Sequence, residues 1–224
     1  MNKIRFNRLQ WLVHIGSVIP LIVLAWDFVT NNLTVNPIQE ITQRTGRTAI
    51  IWLVLSLSCT PFNILFGLRA FNQVRRPLGL YSAFYATLHF LTFLILDYGI
   101  NIQLISATII EKPYIILGTL GFIILFILTL TSTKKSMQKL GKKWTQLHRL
   151  IYPASIILLF HFFLALKFIN SLAITIAIII SILLIIRIPI VRKQLIKRQP
   201  TWSKPINDFL TGRNKKSITI QTKQ

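Results

Sequence analysis

Histidine is the residue in this chain whose chemistry asks for an explanation. There are four, His14, His89, His148 and His161, and all lie inside apolar stretches. The segment "QLHRLIYPASIILLFHFF" carries two of them in one such stretch. An ionisable ring at membrane depth is costly unless its nitrogens are used, so each marks a functional-site hypothesis. A lone histidine can instead serve as an interhelical hydrogen-bonding group, worth about 1 kcal/mol. Four together favour a shared chemical purpose.

His148 and His161 are 13 residues apart, which on one helix separates them by roughly 19–20 Å in height and about 140° around the axis. Two nitrogen ligands of one metal ion stand only about 4 Å apart, given bonds near 2 Å. These two histidines therefore belong to different sites. His161 lies six residues before Lys167 and His89 eight before Asp97, so on helices running the same way they reach nearly the same depth. That pair can clamp one iron between two helices. His14, a few residues into the first apolar block, shares the depth of His148 and is the one histidine left to partner it. Pro153 is expected to kink the helix between His148 and His161.

Two neutral imidazoles among aliphatic and aromatic side chains, without carboxylate or thiolate, suit haem iron. Zinc would want three or four ligands at one level. The flanking Phe84, Tyr85, Phe90, Phe93, Phe160, Phe162 and Phe163 are at helical spacing and read as packing.

The elements that must position these rings follow from composition. Of 224 residues, 53% are hydrophobic and 14% charged, with the apolar residues in long blocks, the signature of an integral membrane protein. A hydrocarbon layer roughly 30 Å thick takes about 20 residues of helix. Six blocks meet that length, near 10–29, 47–66, 79–98, 113–131, 146–166 and 170–190. The alternation that a membrane barrel needs is absent from "AITIAIIISILLII", so the predicted fold is an all-α bundle of six transmembrane helices. The first block has no small-residue cleavage pattern behind it and reads as a retained helix. Cys59 is the single cysteine, which excludes an internal disulfide.

The net charge of +21 does not point to nucleic acid, because the basic residues fill short gaps between apolar blocks. Lys3, Arg5 and Arg8, then Arg69, Arg75 and Arg76, then Lys134, Lys135, Lys139, Lys142 and Lys143 alternate with gaps holding Arg44 and Arg47, Lys112 and Lys167. Basic loops stay cytoplasmic, so both termini are expected there. The chain divides into an N-terminal tail (1–9), a transmembrane domain (10–192) and a basic tail (193–224) that could lie on anionic lipid. No glycine-rich phosphate loop occurs, so the chain takes no hydride from a nicotinamide by itself. Arg75 and Arg76 read as positive-inside anchors. Arg47, at the outer end of the second block, is the candidate contact for a haem propionate.

The segments "TGRTAIIWLVLSLSCTPF", "RRPLGLYSAFYATLHF", "EKPYIILG" and "TLTSTKKSMQKLGKKWTQLHRLIYPASIILLFH" closely resemble the MsrQ (YedZ) family, haem-binding membrane subunits of a methionine sulfoxide reductase system within the ferric-reductase-like transmembrane group. The similarity runs from about Trp11 to Arg192. It implies a b-type cytochrome of the bacterial inner membrane that passes electrons from the quinone pool, or from a flavin reduced by a cytosolic reductase, to MsrP. That partner is a periplasmic molybdopterin enzyme that repairs oxidised proteins. Family haem ligands carry over to His89, His148 and His161; the family is also described as binding FMN, at residues the resemblance does not place here. The wider ferric reductase and NADPH oxidase group pairs histidines on both the third and fifth helices. Here the position 13 residues before His89 is Arg76, so a second haem would need His14 or another ligand.

No paired acid and base is poised for substrate chemistry, so no catalytic residue is expected beyond electron transfer. Rival readings are a quinol-oxidising cytochrome b or a ferric reductase with another acceptor, and a histidine relay in a transporter. A relay would set carboxylates beside the histidines, whereas Asp27 and Asp97 fall at the outer ends of their blocks.

Overall fold

The computed structural model describes residues 7–166, 171–196, 206, 209 and 210. Lys3, Arg5, Lys167 and most of the basic C-terminal tail lie outside the described residues. Ten α-helices run in chain order: α1 Arg8–Val29, α2 Pro37–Phe66, α3 Arg75–Leu91, α4 Ile102–Glu111, α5 Tyr114–Leu130, α6 Lys134–Leu140, α7 Lys142–Leu147, α8 Ile151–Ala165, α9 Ser171–Ile185 and α10 Pro189–Ile196. No strand occurs among the described residues. The all-α fold expected from the unbroken apolar blocks is the one observed.

Among the described residues, four continuous helices are long and apolar enough to cross a membrane: Arg8–Val29, Pro37–Phe66, Arg75–Asp97 and Lys142–Ala165. The fourth and sixth expected spans are shorter straight helices, α5 and α9, each joined to a neighbour at a sharp bend. α4 meets α5 at 113° and α9 meets α10 at 81°, so the spans number six when each bent pair is one. The 17 residues of α5 give about 25 Å of rise, close to the thinnest bilayer core.

Local sequence accounts for the ends. Asn7 opens α1, its side chain accepting from the Gln10 amide while Gln10 returns a bond to the Asn7 amide, a capping box. Asn36 with Pro37 starts α2 ten residues before the apolar block begins, and Gly67 closes it at φ 67°, where a left-handed residue stops a helix without strain. In the fifth span the departure from α-geometry is a 3-10 turn at His148–Leu150, just before Pro153. The proline has no N–H for the Arg149 carbonyl.

The centre of the bundle is α2, half of whose apolar window is buried. Ile50, Leu53, Val54 and Leu57 pack with Leu125 of α5 and Ile176, Ile180 and Leu183 of α9. A second cluster joins Cys59 to Val74 and Leu78, with the thiol donating to the Leu55 carbonyl at 3.3 Å. Outward, Trp26, Phe28, Ile110, Phe160 and Ile178 stand exposed, a surface stable against lipid and not against water.

Polar groups inside the bundle tie its helices together. Ser82 donates to the Ala49 carbonyl at 2.9 Å and the Tyr85 hydroxyl to the Ser17 carbonyl at 2.6 Å, linking α3 to α2 and to α1. Pro61 lacks the N–H that would complete the helical bond to the Leu57 carbonyl. Arg187 supplies the missing donor from beyond the end of α9, at 2.6 Å, and also donates to the Tyr152 hydroxyl at 2.7 Å. Replacing it leaves both acceptors without this donor. Arg187→Leu is expected to cost about 1–3 kcal/mol, read as a lower thermal unfolding midpoint in detergent. An unchanged midpoint would show that this clasp contributes nothing.

Candidate functional site

His89 lies near the C-terminal end of α3, just before a π-helical turn at Thr92–Asp97. Such turns recur at functional sites. His161 lies on α8. Their ring centres are 6.1 Å apart with the planes at 71°. Two imidazoles bound to one metal at about 2.0–2.1 Å, with roughly 1.1 Å from nitrogen to ring centre, would place their centres about 6.2 Å apart. The common depth read from the sequence therefore becomes a distance that one metal ion satisfies.

Both rings are oriented by the same device. Nδ1–H of His89 donates to the Thr42 carbonyl on α2, and Nδ1–H of His161 to the Tyr114 carbonyl on α5, each at 2.8 Å. A carbonyl can only accept, so the proton sits on Nδ1 and the lone pair on Nε2. This outer hydrogen bond is the usual means of setting the tautomer and direction of a metal-binding imidazole. The Tyr114 ring also lies 5.9 Å from that of His161, and Phe90 stacks on Phe122 at 4.6 Å, joining α3 to α5 beside the pair.

The other two histidines stand in different surroundings. Nε2 of His148 faces the Thr131 hydroxyl at 3.2 Å. The Thr131 hydroxyl also lies 2.8 Å from the Ile127 carbonyl. His148 also stacks on Trp144 at 4.0 Å, whose indole N–H donates to the Thr131 carbonyl at 2.9 Å. A hydroxyl both donates and accepts, so unlike the carbonyls facing His89 and His161 it does not set the tautomer of His148. Nδ1 of His14 meets the Tyr81 hydroxyl at 2.8 Å. That contact lies in a cavity of about 600 Å³ between α1 and α3, lined by Gln10, Gln73, Arg76 and Tyr85 as well. Ser17 lines it too, with a buried hydroxyl that has no hydrogen-bond partner.

Arg47, expected as a propionate contact, is exposed one residue beyond Gly46, which lies against the His89 ring. The neighbouring Arg44 is committed to carboxylates, reaching Asp27 and Glu40 at 2.5 Å each. Arg76 donates to the Ser132 carbonyl. Among the described residues no group of three or more His, Cys, Asp or Glu could hold a metal.

Reading by residue type missed Thr42 and Tyr114, which act through their backbones, and Gly46 and Gly118, against which the two rings rest. A signal was present: Gly46 precedes His89 by 43 residues (89 − 46), and Gly118 precedes His161 by the same 43 (161 − 118).

The family model for the ferric reductase like transmembrane component matches residues 45–159. Within that class the chain is 35% identical to the protein-methionine-sulfoxide reductase heme-binding subunit MsrQ of Rhodospirillum rubrum, over 84% of this chain and 92% of that one. It is 35% identical to the MsrQ of Brucella anthropi, over 70% of this chain and 71% of that one, and 32% identical to that of Salmonella newport, over 75% and 86%. The chain belongs to the MsrQ family.

The tautomers are open to direct measurement. Nitrogen NMR on histidine-labelled protein is expected to show Nδ1 protonated at His89 and His161. A proton on Nε2 of either ring would contradict the hydrogen bonds described.

Proposed function

We propose that this chain is a haem b electron-transfer subunit of the bacterial inner membrane. Its electrons would come from quinol or a reduced flavin and pass to a periplasmic molybdopterin methionine sulfoxide reductase of the MsrP kind. The observation that carries the reading is the 6.1 Å pair of His89 and His161 with Nδ1–H of each held by a carbonyl. Haem bound between their Nε2 atoms would supply a one-electron ferric/ferrous couple in an apolar, water-poor setting. The names of its relatives, heme-binding subunits of protein-methionine-sulfoxide reductase, support the same assignment.

The protein's own contribution is orientation and exclusion. The Thr42 and Tyr114 carbonyls fix the imidazoles before any ligand arrives, and the surrounding helices keep water from the pair. With the basic loops on the cytoplasmic face, His89 and His161 lie in the outer half of the membrane, near a periplasmic acceptor. The cavity at His14 and Tyr81 lies toward the inner face. Tyr85, which lines it, is one helical turn before His89 on α3, about 6 Å of rise. That is where a quinol head group would be received, with the Tyr81 hydroxyl placed to take up its proton while passing its own to His14, 2.8 Å away. A second haem would draw on His148, with His14 as its candidate partner. FMN has no side chains assigned to it here.

A quinol-oxidising cytochrome b or a ferric reductase would use the same pair with a different acceptor. A histidine relay is disfavoured because Asp27 at the end of α1 is held by Arg44.

Purified protein is expected to show a sharp Soret band and, with dithionite, an α band. Both should vanish in His89→Ala and His161→Ala, and absence of the bands from the parent protein would overturn the reading. Tyr81→Phe is expected to slow reduction by quinol several-fold while leaving the dithionite-reduced spectrum unchanged; equal rates would remove the cavity from the electron path.

A further inference from the structure

The surroundings of His89 and His161 match feature by feature. α2 and α3 pack as one hairpin, and α5 and α8 as another. In each, a residue near the start of the first helix offers its carbonyl to a histidine 47 positions later, Thr42 to His89 and Tyr114 to His161, at the same 2.8 Å. In each, the residue four after that carbonyl is glycine, Gly46 or Gly118, and the histidine ring lies on it.

Helical geometry explains why it is glycine. The carbonyl of residue i accepts from the N–H of residue i+4, so Gly46 sits beside the Thr42 oxygen and Gly118 beside that of Tyr114. A carbonyl oxygen has a second lone pair, but a side chain at i+4 would stand between it and an incoming ring. A Cβ on Gly46 would fall 2.9 Å from Nδ1 of His89 and 3.0 Å from Cε1. One on Gly118 would fall 2.6 Å from Cε1 of His161 and 2.7 Å from Nδ1. Ordinary carbon contacts are about 3.5–4.0 Å, so each ring would have to withdraw by about 0.5–1 Å or more, and the hydrogen bond that sets its tautomer would break.

We propose that the imidazole pair is built from two copies of one half-site, each a carbonyl, a glycine one turn on, and a histidine on the partner helix, with Gly46 and Gly118 as positioning residues for the two rings. The proposal rests on the haem reading above and adds to it two residues that touch no ligand. Gly118 has the tighter approach and is the more sensitive of the two.

Gly121 provides the control. It lies on the same seam between α5 and α8, three residues from Gly118, and a Cβ there would fall 2.5 Å from Cδ2 of Leu158. That overlap is as severe, but it meets the end of a flexible aliphatic side chain and no imidazole. The experiment compares Gly46→Ala, Gly118→Ala and Gly121→Ala with the parent protein, each purified with its haem. The readouts are haem per polypeptide, the rate of haem loss to apomyoglobin, and the low-spin ferric EPR spectrum. Gly46→Ala and Gly118→Ala are expected to lose haem about ten- to a hundredfold faster, the range found when outer-sphere partners of metal-binding histidines are altered. Their EPR g-values should shift, and Gly118→Ala should be the worse. Gly121→Ala should lower the unfolding midpoint while keeping the parent's spectrum and retention. Parent-like retention and g-values in both Gly46→Ala and Gly118→Ala would overturn the proposal, as would an equal loss in Gly121→Ala, which would make the effect general packing. If Gly118→Ala does not accumulate, Gly46→Ala with the same readouts decides. A parent protein without haem would instead overturn the function proposed above.

Discussion

In a bilayer a polar group has no water to fall back on, and the helices of this bundle have already spent most of their backbone donors and acceptors on themselves. An imidazole buried there must dispose of two nitrogens. One N–H can be met by the spare lone pair of a helical carbonyl, and the other nitrogen is then left as a bare acceptor with nothing in a hydrocarbon interior to donate to it. His89 and His161 both stand in that condition, their Nδ1–H groups taken by Thr42 and Tyr114. Two such rings, their centres 6.1 Å apart, stand at the spacing of two ligands of one metal ion. The close approach of helices, the glycines and the stacking of Phe90 on Phe122 all serve to hold that arrangement.

The same constraint shapes the rest of the bundle. Pro61 opens a gap in the hydrogen bonding of α2, and a guanidinium from the far end of the chain closes it. Ser82 and Tyr85 spend their hydroxyls on carbonyls of neighbouring helices. Where the accounting is incomplete, as at the Ser17 hydroxyl, the orphan faces a cavity large enough for a ring-sized guest. Satisfied polar groups knit the helices into one scaffold.

Much of this was legible before any coordinates. Apolar blocks of bilayer length, with charges confined to the gaps, force helices and count them. Thirteen residues between His148 and His161 separate them into two sites, because the rise of a helix does not depend on its neighbours. The equal depths of His89 and His161 followed from the same rise. Less legible were the fourth and sixth spans, where block length alone does not reveal the sharp bends between α4 and α5 and between α9 and α10. The contacts of the other two rings were not legible either: His14 meets Tyr81 and His148 meets Thr131.

What the sequence determined by itself is therefore what one-dimensional quantities carry: fold class, the spacing of spans and the height of each histidine within them. The tertiary structure alone decided that His89 and His161 carry the proton on Nδ1, that Thr42 and Tyr114 hold those protons, that Gly46 and Gly118 admit the rings, and that Arg187 repairs the gap left by Pro61. Each of these depends on the rotation of one helix against another and on a backbone atom that every residue type possesses. A main-chain carbonyl leaves no mark in the composition, and a missing Cβ acquires its meaning only when another helix is pressed against it.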